Sequence, residues 1–163
     1  MKLFRKLFLF GLFVGGIFVL DSAAVQGQVL PTKVRSYLKE KYPGYKLDRG
    51  DPICKSRAVV SGNFNGDSKR DYAVMFNKGR SPYVIAFLSQ GTNYKAHILE
   101  GGSASSILYV ERKGEKYAEI VGNTDERVTR RLKYDAPGGG SCESATFIWI
   151  YHNGRFRQAW TSD

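Results

Sequence analysis

The chain is short of the residues from which compact reactive centres are most often built. Of its 163 residues, two are cysteine and two are histidine. His97 and His152 have no partner at metal-ligand spacing, and neither Cys54 nor Cys142 has a second sulfur or a histidine close by in sequence. A zinc site of ordinary spacing is therefore not indicated. No Gly-x-Ser-x-Gly elbow marks a nucleophile. Glu111, Glu115, Glu119 and Glu143 could pair for glycoside chemistry, but sequence alone does not show two of them facing one cleft. A spanning helix needs ~20 apolar residues, and the longest apolar run, Leu7 to Leu20, has fourteen. Internal repeats and low-complexity tracts are missing as well.

That short run has a particular context. Lys2, Arg5 and Lys6 precede it, and small residues follow at Ser22, Ala24 and Gly27. A basic start, a short apolar stretch and small residues make a secretory signal; an uncleaved anchor is the other reading. Residues 1–24 are expected to be a leader, cleaved after Ala24 or Gly27, and residues 25–163 a single exported domain, secreted or periplasmic. Loss of Lys2, Arg5, Lys6 and Asp21 leaves 22 basic against 14 acidic residues, a charge of about +8. Such a charge favours anionic partners, which outside the cytoplasm means envelope or extracellular anions in place of nucleic acid. Export also makes Cys54 and Cys142 a disulfide pair in preference to a metal pair or a catalytic thiol.

Hydrophobic periodicity divides the domain. Val34, Leu38 and Tyr42 recur at a spacing of four between Leu30-Pro31 and Pro43-Gly44, which predicts an amphipathic helix of about ten residues. Beyond Ser56 the period becomes two. Runs at 57–61, 72–76, 83–89, 94–99, 107–112, 117–121, 131–136, 146–152 and 155–161 predict strands, with turns between neighbours such as Asn153-Gly154. Residues 107–121 are expected to form a hairpin and Gly138-Gly139-Gly140-Ser141 a flexible loop. The expected fold is α+β, one N-terminal amphipathic helix packed on a mostly antiparallel, meander-like sheet. Tyr134, Phe147, Trp149, Tyr151, Phe156 and Trp160 alternate with Ile148, Ile150 and Ala159; this fits core and cross-strand pairing better than a sugar-stacking face.

The segment Asn63-Phe64-Asn65-Gly66-Asp67-Ser68-Lys69-Arg70-Asp71 carries oxygen side chains at its first, third, fifth and ninth positions. It resembles the calcium loop of FG-GAP and VCBS-type repeats, Asp-x-Asn-x-Asp-Gly-x-x-Asp between two strands. That resemblance implies Ca²⁺ held by Asn63, Asn65, Asp67, the Lys69 carbonyl and Asp71. Asn63 departs from the pattern by removing a charge, Ser68 stands for a turn glycine, and Lys69 and Arg70 put cations into the loop. A metal-free polar turn, with these side chains bonded to backbone N–H groups, is the alternative. A single copy does not imply a propeller. Residues Leu30 to Tyr45 are similar to the opening helix of PepSY-like secreted domains, which implies an α+β module linked to binding or inhibition of secreted enzymes.

Arg127-Val128-Thr129-Arg130-Arg131-Leu132-Lys133 holds four cations in seven residues. As a strand it places Arg127, Thr129, Arg131 and Lys133 on one face. Arg127, Arg131 and Lys133 are the candidate anion-binding residues, and a solvated, charge-protected edge strand is the plainer alternative. The function these features indicate is a non-catalytic exported domain that binds or inhibits an extracytoplasmic protein or an anionic polymer. A small secreted hydrolase acting on cell-wall or extracellular polymer is the alternative class.

Overall fold

Pro31 opens helix α1 (Thr32–Lys41), and Lys39 and Lys41 occupy its last turn, where cations complement the helix dipole. These coordinates are a computed structural model that describes residues 29–102, 105–122 and 126–162. The expected leader and both cleavage positions lie outside the described residues. The helix ends as Tyr42 donates its N–H to the Leu38 carbonyl at 2.9 Å, and Gly44 turns the chain at φ +77°. Among the described residues no helix is long and apolar enough to cross a membrane.

Eleven strands follow among the described residues: β1 (Lys46–Leu47), β2 (Val59–Gly62), β3 (Asp71–Lys78), β4 (Ser81–Gln90), β5 (Asn93–Gly101), β6 (Ile107–Glu111), β7 (Lys116–Ile120), β8 (Arg127–Arg131), β9 (Ala136–Gly140), β10 (Thr146–His152) and β11 (Arg155–Ser162). The first sheet runs β1-β3-β4-β5, with β2 also on β3; the second runs β11-β10-β9-β6; β7 and β8 form a separate ribbon. The strand pairings are antiparallel.

The alternation of side chains stacks these parts in layers. Val59, Val74, Phe76, Ile85 and Phe87 pack under Leu30, Val34 and Leu38 of the helical segment. The opposite face of the first sheet, with Val60, Ala73, Met75, Val84 and Leu88, meets Leu108, Phe147 and Trp149 of the second. The far face of the second sheet buries Ala136, Ile148 and Ala159 against Leu132, with Tyr117 of the ribbon packed on them.

Three expectations are corrected. The fold is β-rich, with several antiparallel sheets, and is not α+β: among the described residues one ten-residue helix stands against eleven strands. The sequence pattern misleads because the helix is its most recognisable element, while the sheets that hold most of the chain are made from short, separate runs. Residues 107–121 do not form a hairpin, since β6 pairs with β9 and β7 with β8. The tight turn Arg112–Glu115 joins two different sheets. Gly138, Gly139 and Gly140 are not a loop but the buried inner strand β9. A Cβ at Gly138 would lie 2.3 Å from the Tyr109 ring, and one at Gly139 would lie 2.6 Å from the Trp149 ring. Glycine there lets neighbouring aromatic rings lie on bare backbone, so the rings supply the packing that the strand's own side chains do not.

Cys54 and Cys142 form a disulfide with a Cα–Cα distance of 5.9 Å. It ties the segment before β2 to the end of β9. Closing a loop of this length stabilises by ~4 kcal/mol in the chain-entropy account.

Candidate functional site

The loop between β2 and β3 turns its oxygens onto its own backbone. Asn63 Oδ1 accepts from Gly66 N at 2.9 Å, Asn65 Oδ1 from Asp67 N at 3.1 Å and Asp67 Oδ1 from Lys69 N at 2.9 Å. Asp71 is fully buried, and its two oxygens accept from Phe64 N and Ser89 N, each at 2.8 Å. Burial raises its pKa, which those two donors partly offset. Ser68 takes the left-handed φ of +63° that the family pattern assigns to glycine. The Tyr134 ring lies so close to Gly66 that a Cβ there would sit 2.1 Å from it.

Sequence reading missed the residue that anchors this loop. Asp135 accepts from Asn63 N and Lys113 N, each at 2.9 Å, and from Arg112 Nη1 at 3.3 Å. Burial opposes ionisation of Asp135, yet these donors hold its pKa below the ordinary carboxylate range. Its separation from Asn63 by 72 positions left no local signal. Among the described residues no group of three or more His, Cys, Asp or Glu side chains is placed to hold a metal. A cation here would have to compete with the N–H donors that Asn63, Asn65, Asp67 and Asp71 already accept.

The cationic segment is β8 with its continuation. Its register places Arg127, Thr129 and Arg131 on one face of the ribbon, opposite Ile120, Ala118 and Lys116 of β7. Arg127, Thr129, Arg131, Lys116 and Lys133 are exposed. Arg131 Nη1 donates to the Gly114 carbonyl, which fixes the guanidinium at the foot of the ribbon. Arg130 turns to the other face and pairs with Glu119, which also holds Arg157 at 2.5 Å. Burial alone would raise Glu119, but the two arginines keep its pKa low.

A second basic site was not foreseen. The segment leading into β2 runs alongside β6: Asp51 N donates to the Ser106 carbonyl at 2.8 Å and Arg57 N to the Leu108 carbonyl at 3.1 Å. Further on, Arg112 Nη1 reaches the Ser61 carbonyl at 3.3 Å. Between these bonds the two strands part around a cleft of about 280 Å³, with Val60, Leu108 and Val110 apolar in its lining and Lys55, Arg57 and Arg112 contributing charge. A groove of about 420 Å³ lies between α1 and the β4–β5 hairpin, lined by Tyr37 and Tyr94 and bridged by Lys33 Nζ to Asn93 Oδ1 at 2.7 Å.

The candidate hydrolytic groups are scattered. His97 stacks edge-on against Tyr151 and Phe156, and its buried Nε2 has no hydrogen-bond partner among the described residues. His152 stands opposite Arg155 in the β10–β11 hairpin. Glu111 and Glu115 hydrogen-bond to each other, which with burial raises Glu111 to about 7; carboxyls in direct contact leave no room for a glycosidic bond between them. Glu119 is held by its arginines, and Glu143 sits in a turn at φ +62°. A Ser-x-x-Lys spacing occurs at Ser36 and Lys39, both exposed on α1.

No protein family, no curated protein and no solved structure matches this chain.

Proposed function

We propose that this chain is an exported, non-catalytic binding domain whose partner is an anionic polymer met by the outward face of the β7–β8 ribbon. The observation that carries this is the sorting of cations across the ribbon. Arg130 lies on the opposite face and is paired with Glu119, whereas Arg127, Arg131 and Lys116 share one exposed face. Lys133 lies two residues beyond the strand and is exposed. A row of cations along one face of a two-stranded ribbon matches a ligand with repeated negative charge better than a ligand with one. The disulfide suits an oxidising compartment.

The test is retention on a phosphorylated or sulfated polysaccharide matrix. Replacing Arg127, Arg131 and Lys133 together with glutamine should bring elution to markedly lower salt. Stability should move by about 0.5 kcal/mol or less per substitution, with Arg131 contributing most because it also loses its bond to the Gly114 carbonyl. Equal retention of the variant and the parent protein would sink the proposal. Within the same reading the 63–71 loop is a bracing element. Calcium there has its own measurement, a rise in melting temperature with Ca²⁺ that Asp67→Ala abolishes.

A further inference from the structure

The cleft between β2 and β6 has the attributes of a binding site for a small anion, and it uses residues different from those of the ribbon. Three cations and no carboxylate contribute to its lining. Val60 and Leu108 are buried with 3% and 0% exposure. Charges beside such an apolar surface are less screened than in open water, so they attract an anion more strongly.

The backbone that carries Lys55 and Arg57 is fixed, and their side chains are exposed at the cleft. Lys55 follows directly after the disulfide residue Cys54 and adopts a left-handed φ of +54°, uncommon for a residue with a side chain. Strained backbone of this kind concentrates at ligand sites. Arg57 is fixed through its N–H on the Leu108 carbonyl at 3.1 Å. Arg112 commits Nη1 to the Ser61 carbonyl and to Asp135. Its guanidinium has five N–H donors, so others of the fork are available to a ligand. Asp135 and Glu115, which accepts from Arg112 N at 3.1 Å, offset part of the Arg112 charge. Lys55 and Arg57 then supply most of the field in the cleft.

Size and geometry select the ligand. The cleft, at about 280 Å³, is at the lower end of the ~300–1,000 Å³ typical of small-molecule pockets, too small for a folded partner. Arginine forks match tetrahedral oxyanions and carboxylates, and an open cleft lined by two arginines and a lysine offers such a group several donors at once. We propose that this cleft binds one phosphate or sulfate group, held by Arg57 and Arg112 with Lys55 as a third cation.

The same chemistry can arrive as a free ion or as a pendant group on a polymer, and calorimetric titration in low-salt buffer separates the two. Inorganic phosphate and sulfate are one arm; a phosphorylated oligosaccharide is the other. The expected result is saturable binding at one site that Arg57→Gln weakens by roughly tenfold or more, the loss of one charge-assisted hydrogen bond. With inorganic phosphate or sulfate, Arg127→Gln and Arg131→Gln should leave the binding unchanged, whereas they weaken oligosaccharide binding only if the ribbon also takes it, so the fate of the ribbon proposal is read separately. Binding of the oligosaccharide alone, still dependent on Arg57, assigns the site to polymer-borne groups. Arg112→Gln also removes structural bonds, so Arg57→Gln, with a melting curve to verify folding, is the deciding variant. Wild-type affinity in Arg57→Gln, or no saturable binding in either arm, overturns the proposal.

Discussion

In the first sheet, the central strand β4 fills both of its faces with side chains: Ile85 and Phe87 under the helix, Val84 and Leu88 toward the second sheet. In the second sheet, the inner strand β9 reads Ala136-Pro137-Gly138-Gly139-Gly140 and is buried along its whole length. Its neighbours do the packing, with Tyr109 of β6 over Gly138 and Trp149 of β10 over Gly139. Pro137 sits opposite Val110, and the bonded pairs on that edge include its neighbours Ala136 and Gly138. The Leu108 main chain faces away from β9, toward Ser56 and Arg57. Alternation gives Val110 the same direction, so Pro137 takes no bond from the β6 edge; its nitrogen faces β10, where the pairing with β9 ends at Ile148 opposite Gly138. One sheet is thus filled from its own strands and the other from the strands beside it. Burial alone does not tell which residue type a strand position requires.

The contrast predicts that the first sheet is broken by removing atoms and the second by adding them. The largest effect is expected for Phe76→Ala. Phe76 is fully buried, with its ring 5.0 Å from that of Tyr42 and 5.4 Å from that of Tyr83. Its loss should cost about 3–5 kcal/mol in urea unfolding. Next comes Gly139→Ala, a single added methyl directed at the Trp149 ring. Overpacking of this kind costs about 1–3 kcal/mol. Combining it with Trp149→Leu should be less destabilising than the sum of the two; strict additivity would contradict the ring-on-glycine account. Smallest is Glu111→Gln, also on the second sheet. Hydrogen bonding with Glu115, then burial, raises Glu111 from 4.5 to about 7 in the folded state. Because the folded pKa is the higher one, the associated stability is fully present below pH 4.5 and is lost as pH rises through about 7. The glutamine variant should flatten the melting-temperature profile over that interval, and an unchanged profile would rule out the shared proton.

The elements that declared themselves in the sequence are those whose information is local. The helix over Thr32–Lys41 followed from Val34, Leu38 and the Pro43-Gly44 stop, and the β10–β11 hairpin from Asn153-Gly154, whose φ values are +48° and +81°. Residues 127–131 displayed their two faces through simple alternation. What stayed hidden depends on partners far along the chain. Strand β9 has no side-chain period of its own, because its period is carried by Tyr109 and Trp149. The separation of β6 from β7 was masked by a turn that looks like a hairpin turn. Asp135 and the cleft cations Lys55, Arg57 and Arg112 come together only through contacts between β2, β6 and the turn after β6. The fold-class error has the same root, since a helix is recognised from one stretch of chain and a sheet from several.

The layering also has a consequence for how the chain is made. Helix α1 and strands β1 to β5 lie between residues 32 and 101, so the first sheet and its cover precede every strand of the second. Synthesis or transport that delivers the N-terminus first completes that unit while Val60, Ala73, Met75, Val84 and Leu88 still have nothing opposite them. For that interval half of the future core is an adhesive open surface, the kind that draws nascent chains into aggregates. The surface that should claim it comes in two parts, Leu108 of β6 next and Phe147 and Trp149 of β10 some forty residues later, with the Cys54–Cys142 bond available only after residue 142 has emerged.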